Sequence, residues 1–286
     1  MSVAFVLSGG ASLGAIQVGM LRALFERRIT PDLIIGTSIG AVNGAYIASR
    51  PTTPATADAL ADVWLGLHRW GVFPPDPITG LLGLVGLSDH VLPSLGLRWI
   101  LGRHLEIEHL EDAAIPLHVI ATDVRNGLER RLSRGPAKPA VIASAAVPGV
   151  FPAVEIDGYH LVDGGVASNT PASDAIELGA RTVYVLATGH ACDLRRPPRG
   201  ALAMAIHANA ILLGRRAIID VQRLAGRARL IVLPPPCPQR VHPADFGHAR
   251  KLIDGGYAEA AGVLDDPDVD SSAPPPWLKR LAPHEH

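Results

Sequence analysis

The sequence predicts an α/β fold, a three-layer α/β/α sandwich around a largely parallel central sheet. Short apolar runs alternate with helix-periodic segments, the pattern of a parallel sheet covered on both faces. Hydrophobic residues make up 48% of the chain and charged residues 19%, with few aromatics, so aliphatic side chains must fill tight helix-on-sheet layers. The 286 residues can bury one large core. We therefore predict a single domain over residues 1–264 and a flexible tail over 265–286.

The first fifty residues predict a strand, a glycine-rich loop, a helix, a second strand, a tight turn and a second helix. The apolar residues 3–7 form the first strand, and the loop at 8–14 separates it from the first helix. Residues 32–35 form the second strand, and the next helix starts at Ala41. Parallel strands bring the loops after their C-terminal ends to one edge of the sheet, so we expect the functional site there.

The remaining elements follow the same logic. Predicted helices cover residues 57–70, 140–146, 171–178, 201–224 and 244–264. Predicted strands cover residues 117–122, 129–132, 154–156, 159–162, 182–187 and 230–233, of which 154–156 and 159–162 form a hairpin. Residues 72–102 are apolar and rich in glycine, proline and leucine without a clear period. Two interpretations stay open for them: a mobile cap over a lipid-binding active site, or an irregular insertion packed on the core.

Composition excludes several classes of protein. Lysine and arginine total 26 and aspartate and glutamate 27, which disfavours a nucleic-acid partner because such proteins carry a basic excess. Cys192 and Cys237 lack metal-ligand spacing, and one pair makes no disulfide framework. Residues 1–21 lack charge but also lack a basic start, so they predict a buried strand, loop and helix. We expect a cytoplasmic protein, peripheral to membranes at most, that requires no metal and no cofactor; its oligomeric state is not predicted.

Three motifs together point to acyl-transfer chemistry. Gly36-Thr37-Ser38-Ile39-Gly40 has the G-x-S-x-G pattern of a nucleophile elbow, a strained strand-to-helix turn that exposes a serine. The loop Ser8-Gly9-Gly10-Ala11 offers backbone N–H groups, and Asp163-Gly164-Gly165 offers a carboxylate after a strand. Each motif is weak alone, since Asp-Gly is a common turn. Acyl transfer needs all three parts: a nucleophile, a base and N–H donors for the oxyanion.

In this combination the sequence resembles the patatin-like phospholipases, a family of serine acyl hydrolases. The likeness covers residues 2–175 and includes Ser144-Ala145-Ala146-Val147-Pro148-Gly149-Val150-Phe151-Pro152, Asn169 and Pro171. The resemblance implies a catalytic dyad in which Ser38 is the nucleophile and Asp163 the base. It implies a lipid or other acyl-ester substrate and transient contact with a membrane surface.

The resemblance also assigns the supporting glycines. Gly9, Gly10 and Ala11 match the family's oxyanion loop, which Gly14 closes, while Gly36, Gly40, Gly164 and Gly165 support the two catalytic motifs. Two positions depart from the family pattern: Ala11 replaces a glycine, and Leu13 replaces a basic residue. A methyl group at Ala11 keeps the N–H, so the oxyanion hole is retained if φ at Ala11 is negative. The absence of a cation at Leu13 is expected to alter the rate of catalysis or the preference for a lipid headgroup.

Alternatives of other classes remain. A non-catalytic lipid-binding or scaffold protein could share this fold. An α/β-hydrolase would use a histidine, with His190 best placed and His207, His242 and His248 behind it. The serine follows only the second strand, which is too early for that fold. A dinucleotide-binding loop at residues 8–14 is disfavoured, because no acidic residue ends the second strand.

Overall fold

The computed structural model describes residues 2–74, 76–84, 87–189, 200–224, 226–236, 241 and 245–266. The predicted tail beyond Asp266 lies outside the described residues, as do His190, Cys192, Cys237 and His242 and the side chain of His207.

In the described part of the chain, eight strands form one central sheet. They are β1 (Val3–Leu7), β2 (Leu33–Thr37), β3 (Leu117–Asp123), β4 (Glu129–Leu132), β5 (Val154–Ile156), β6 (Tyr159–Asp163), β7 (Thr182–Leu186) and β8 (Arg229–Leu233). Their pairing path runs β5-β6-β3-β2-β1-β7-β8, and β4 also pairs with β3. The run β3-β2-β1-β7-β8 is parallel throughout, whereas β4, β5 and β6 pair antiparallel. The prediction of a largely parallel sheet is confirmed.

Helices cover both faces of the sheet. They are α1 (Ala15–Glu26), α2 (Ile39–Ala48), α3 (Pro54–Gly66), α4 (Arg69–Val72), α5 (Pro77–Leu84), α6 (Leu95–His104), α7 (Ala137–Ser144), α8 (Ala172–Glu177), α9 (Ala201–Leu224) and α10 (Ala249–Leu264). One core joins one sheet face to α1, α2, α3, α6, α7 and α10, and a second core joins the other face to α8 and α9. This is the predicted three-layer α/β/α arrangement.

Strand β1 shows why the layers form. Its side chains alternate between the two faces, with Phe5 and Leu7 in one core and Ala4 and Val6 in the other. All four are fully buried. A strand covered on both sides must be apolar at every position, which is why β1 appears in the sequence as an unbroken apolar run.

Helix α7 starts at Ala137 instead of residue 140 and ends at Ser144 instead of residue 146. Two other helices differ more from their predicted bounds. The helix predicted over 57–70 starts at Pro54, a favourable first helical residue, and ends at Gly66 because Leu67 is extended, with φ −78° and ψ 140°. The helix predicted from residue 244 starts only at Ala249. Neither shift changes the layer to which the helix belongs.

The described residues between 72 and 102 contain short helices and pack against the loop that follows α7. Val91 N–H donates to Gly149 O at 3.1 Å, and Leu92 N–H donates to Val150 O at 2.9 Å. The rings of Phe73 and Phe151 stack with centroids 5.6 Å apart. The segment is therefore held over one side of the sheet's C-terminal edge. Within the described residues, no helix combines the length and apolar character needed to cross a membrane.

Candidate active site

Ser38 lies at the turn between β2 and α2. Its backbone has φ 55° and ψ −123°, a conformation that costs a non-glycine residue about 1–3 kcal/mol and that functional sites often retain. The flanking glycines allow the turn to close. A Cβ on Gly36 would lie 2.5 Å from Gly40 O, and one on Gly40 would collide with Leu7 O. The local geometry is that of a nucleophile elbow, as the pattern predicted.

A buried serine fixes the backbone of the elbow. Ser38 N–H donates to Ser144 Oγ at 2.8 Å, and the Ser144 hydroxyl donates to Ile120 O at 2.5 Å. Ser144 is fully buried at the end of α7. The sequence places Ser144 in a family motif but predicts no separate role for it. No local pattern points to it, because its two partners lie 106 and 24 residues away.

Asp163 is the hydrogen-bond partner of the Ser38 hydroxyl. Ser38 Oγ donates to Asp163 Oδ2 at 2.6 Å, and Gly165 N–H donates to Asp163 Oδ1 at 2.8 Å. Burial raises the pKa of Asp163 to about 6, although the hydrogen bonds from Ser38 and Gly165 act in the opposite direction. The carboxylate is therefore more basic than an ordinary aspartate and still ionised at neutral pH.

Strand register brings Asp163 to Ser38. Thr37 pairs with Ile120 of β3, and Asp163 pairs with the next residue, Ala121. Strand β4 pairs with both Ile120 and Ala121 and so occupies one edge of β3. Strands β2 and β6 must therefore both lie along the other edge of β3, where they meet end to end. Asp163 thus takes the place just beyond Thr37, level with Ser38. Its strand is antiparallel to β3, so the aspartate does not reach the site through a parallel-strand loop.

The glycine-rich loop offers two backbone donors. Gly9 N–H already donates to Asn169 O at 3.3 Å, and Gly9 O accepts from the Thr188 hydroxyl. Within the described residues, the N–H groups of Gly10 and Ala11 donate no hydrogen bond. Gly10 and Ala11 are therefore the candidate donors within the predicted oxyanion loop, and the hydrogen bonds of Gly9 anchor that loop.

Ala11 has a left-handed backbone. Its φ is +51°, so the condition of a negative φ is not met. The family's glycine would adopt this left-handed conformation without cost, whereas an alanine there is strained. No described group accepts a hydrogen bond from the Ala11 N–H, so the substitution alters the energy of the loop rather than its set of candidate donors.

The other predicted glycines serve close packing. A Cβ on Gly14 would lie 3.0 Å from the Trp64 ring and would also strike Ile39, and one on Gly164 would collide with Ile120 O. Gly165 supplies the N–H that holds Asp163. These positions keep the loop, α2 and the Asp163 turn in contact.

A buried amide network supports the glycine-rich loop from below. Gln17 Nε2 donates to Ser8 O at 2.8 Å, and Asn43 Nδ2 donates to Gln17 Oε1 at 2.9 Å. The indole of Trp64 donates to Asn43 Oδ1 at 3.0 Å. Gln17 and Asn43 are fully buried. Sequence reasoning missed this network, although polar side chains within otherwise apolar helix faces were a signal for it.

An apolar pocket extends from Ser38 along α2. It holds about 880 Å³ of empty space, mouth included, and is lined along this helix by Ser38, Ile39, Val42 and Tyr46. Eight residues of helix separate Ser38 from Tyr46, about 12 Å. Leu97, Ile100, Leu101 and His104 of α6 also line the pocket. Burial lowers the pKa of His104, assisted by Arg103 and Arg50, which favours the uncharged ring. The pocket suits a hydrocarbon chain.

Histidine takes no part in the observed contacts of Ser38. Among the described residues, no histidine ring lies within hydrogen-bond distance of Ser38 Oγ. His248, one of the alternatives, pairs instead with Asp245 at 3.1 Å on the surface. His190 falls outside the described residues.

The fold and the site together define a class of protein. A strained serine turn, a buried carboxylate bonded to it and nearby N–H groups that donate to no described residue occur on a largely parallel α/β/α sheet. A family model described as "Patatin-like phospholipase" matches residues 5–176. The chain belongs to the patatin-like phospholipase family.

Several known proteins are similar to this chain. "Patatin-like phospholipase domain-containing protein 7" of Rattus norvegicus is 30% identical over 190 residues, 66% of this chain and 14% of that protein. "Lysophospholipase NTE1" of Mycosarcoma maydis is 28% identical over 196 residues, 68% of this chain and 10% of that protein. The solved structure of VipD from Legionella pneumophila has a TM-score of 0.48 at 16% identity, and the match covers 92% of this chain and 66% of that one. The matched part is thus a small fraction of the two relatives.

Proposed function

We propose that this protein is a serine acyl hydrolase that cleaves fatty acyl esters of lipids through an acyl-enzyme on Ser38, with Asp163 as the base. The observation that carries the proposal is the 2.6 Å hydrogen bond from Ser38 Oγ to Asp163 Oδ2 at an apolar pocket. Membership of a family described as phospholipases supports it. We also propose that residues 1–264 act as one catalytic domain.

In the first half-reaction, Ser38 Oγ attacks the acyl carbonyl carbon and its proton passes to Asp163 Oδ2. The carbonyl oxygen becomes negative and accepts hydrogen bonds from Gly10 N–H and Ala11 N–H. Such donors are worth about 3 kcal/mol each in the transition state. The C–O bond to the leaving alcohol then breaks, and the alcohol oxygen takes the proton from Asp163. The acyl group remains on Ser38.

In the second half-reaction, Asp163 removes a proton from water, which attacks the acyl-enzyme carbonyl. Collapse of the intermediate releases the fatty acid and returns the proton to Ser38 Oγ. The raised pKa of Asp163, about 6, supports this double use, because a base is most effective when its pKa approaches the working pH.

The pocket suggests the part of the substrate that is recognised. An acyl chain advances about 1.25 Å per carbon, from C–C bonds of about 1.5 Å. The distance of about 12 Å from Ser38 to Tyr46 therefore accommodates nine or ten carbons. Since the walls are apolar, we infer specificity for the acyl chain, with phospholipids or lysophospholipids as substrates. The name of the Mycosarcoma maydis relative is consistent with this inference.

Active-site labelling combined with substitution tests the dyad. A fluorophosphonate probe should form an adduct on Ser38, and Ser38→Ala and Asp163→Asn should each lower hydrolysis of a p-nitrophenyl ester at least about a thousandfold. Matched controls are Ser49→Ala, a serine away from the pocket, and Asp123→Asn, another buried aspartate of the sheet. Both controls should retain activity.

Two outcomes would overturn the proposal. Absence of a Ser38 adduct in the folded protein would favour a non-catalytic lipid-binding protein. An active Asp163→Asn variant combined with an inactive His190→Ala variant would favour a histidine-based triad.

A further inference from the structure

We propose that the outer face of the segment over the pocket docks on an anionic lipid bilayer. This docking face consists of Trp70, Leu95 and Trp99 together with Arg69, Arg98 and Arg103. The inference goes beyond the proposed function, since bilayer binding does not require turnover.

Exposed apolar side chains concentrate in this segment. Seven large hydrophobic side chains among the described residues are more than 60% exposed, and six of these lie between residues 70 and 99. Trp70 is 61% exposed and Trp99 62%. Such a concentration on a water-facing surface marks an interaction site.

Helix α6 has two faces with different partners. Leu95, Arg98, Trp99 and Arg103 recur at spacings of three and four residues and are exposed, so they form one outward stripe. The opposite stripe, which includes Leu97, Ile100 and Leu101, lines the acyl pocket. The docking face and the pocket are thus two sides of the same helix.

Helix α4 adds a second tryptophan to this stripe. A Cβ on Gly96 would lie 2.5 Å from Val72 O and would also strike Gly71 O, so the two helices cross with their backbones in contact. Trp70 precedes Gly71 and Leu95 precedes Gly96. The crossing therefore brings the backbone at Trp70 near that of Leu95, and both side chains are exposed.

The charges of the docking face are all positive. Arg69 lies over the Trp70 ring at 5.2 Å, and Arg103 lies over the Trp99 ring at 5.9 Å. Arg98 donates to Ser94 Oγ. Within the described part of the chain, none of these arginines forms an ion pair with a carboxylate, and residues 65–75 and 90–105 contain no aspartate or glutamate.

This chemistry matches a bilayer surface. Tryptophan is enriched where hydrocarbon meets water, and arginine is attracted to anionic headgroups by a free energy equivalent to about fivefold in affinity per residue. A bilayer docked here would also bring acyl chains to the helix that lines the pocket. A dimer formed through this face would instead place the three arginines of one copy close to those of the other. Repulsion between these like charges disfavours a second copy as the occupant.

Vesicle binding tests the proposal. The full chain is mixed with unilamellar vesicles of phosphatidylcholine alone, or of phosphatidylcholine and phosphatidylglycerol in equal amounts. Co-sedimentation and tryptophan fluorescence report binding. The variants are Trp70→Ala/Trp99→Ala and Arg69→Gln/Arg98→Gln/Arg103→Gln. The controls are Leu212→Ser and Arg215→Gln/Arg216→Gln, exposed residues of α9 in the opposite helical layer.

The wild-type protein should bind the mixed vesicles at least about tenfold more tightly than neutral vesicles, and each docking-face variant should lose at least about tenfold. The α9 controls should bind like wild type. All five proteins should hydrolyse a water-soluble p-nitrophenyl ester at equal rates, and equal thermal melts would show that they are folded. Ser38→Ala should still bind vesicles, which separates failure of docking from failure of the proposed catalysis.

Three results would overturn the inference. The first is a wild-type protein that does not bind mixed vesicles. The second is a Trp70→Ala/Trp99→Ala variant that binds as wild type does. The third is a dimer in sedimentation velocity that this double variant abolishes, since a second copy would then cover the face.

Discussion

Replacing Asp163 with asparagine should stabilise the folded protein while it abolishes ester hydrolysis. Burial of the carboxylate raises the pKa of Asp163 to about 6 from its ordinary 3.8, so the charged form is unfavourable in the folded state. An asparagine keeps an acceptor for Gly165 N–H and can donate its amide to Ser38 Oγ. The substitution therefore removes the charge and leaves both hydrogen-bonded positions occupied.

The sign and size of the effect follow from the two pKa values. A raised carboxyl pKa means that stability is fully present below pH 3.8 and is lost as the pH rises through 6. The full loss is about 3 kcal/mol at about 1.4 kcal/mol per pKa unit. Between pH 4.5 and pH 8 the loss is about 2 kcal/mol.

Urea unfolding at pH 4.5 and pH 8 measures this directly. The free energy of unfolding of Asp163→Asn minus that of wild type should be about 2 kcal/mol more positive at pH 8 than at pH 4.5. Contributions that do not depend on pH cancel in this comparison. Ser38→Ala is the control, because it is equally inactive but keeps the carboxyl group. Its pH dependence should be at least as large as that of wild type, since loss of the Ser38 hydrogen bond raises the pKa of Asp163 further. An equal difference at both pH values would refute a raised pKa at Asp163.

Three further outcomes follow from the site. Since Asp163 must be ionised to act as a base, kcat/KM for a soluble ester should rise through a pKa of about 6 and be about tenfold lower at pH 5 than at pH 8; a flat profile would contradict the assigned base. Val42→Trp should fill the pocket and lower kcat/KM for decanoate esters at least about tenfold while butyrate esters change little, and equal losses would contradict the chain-binding role. Ser144→Ala should leave the buried Ser38 N–H without its partner and lower the free energy of unfolding, measured in urea, by about 1–3 kcal/mol. The same variant should lower kcat more than it changes KM. Unaltered kinetics would show that Ser144 does not position the elbow.

Much of the fold was predictable because it depends on local patterns. The buried run Val3–Leu7 and the alternation of strands and helices predicted the parallel sheet with helices on both faces. The G-x-S-x-G spacing also predicts that Gly36 and Gly40 approach neighbouring backbone closely, because only glycine leaves room for that turn.

Other features depended on contacts between distant parts of the chain. The positive φ of Ala11 could not be predicted, because alanine disfavours that conformation and only the surrounding loop imposes it. Ser144 has no local signature, since its role arises from hydrogen bonds to Ser38 and Ile120 across separate elements. The hydrogen bond from Gly9 N–H to Asn169 O likewise joins parts of the chain that are distant in sequence.

The sequence by itself determined the layers and the strained serine turn, because these rest on residue type and short spacing, and its resemblance to a known family implied Asp163 as the acidic partner. Only the tertiary structure decided how that partner arrives. Asp163 ends an antiparallel strand whose register on β3 sets it level with Ser38, and a shift of one residue would point the carboxylate to the other face. The same packing buries the carboxylate and raises its pKa, and burial is a property of the assembled layers that no short stretch of sequence contains.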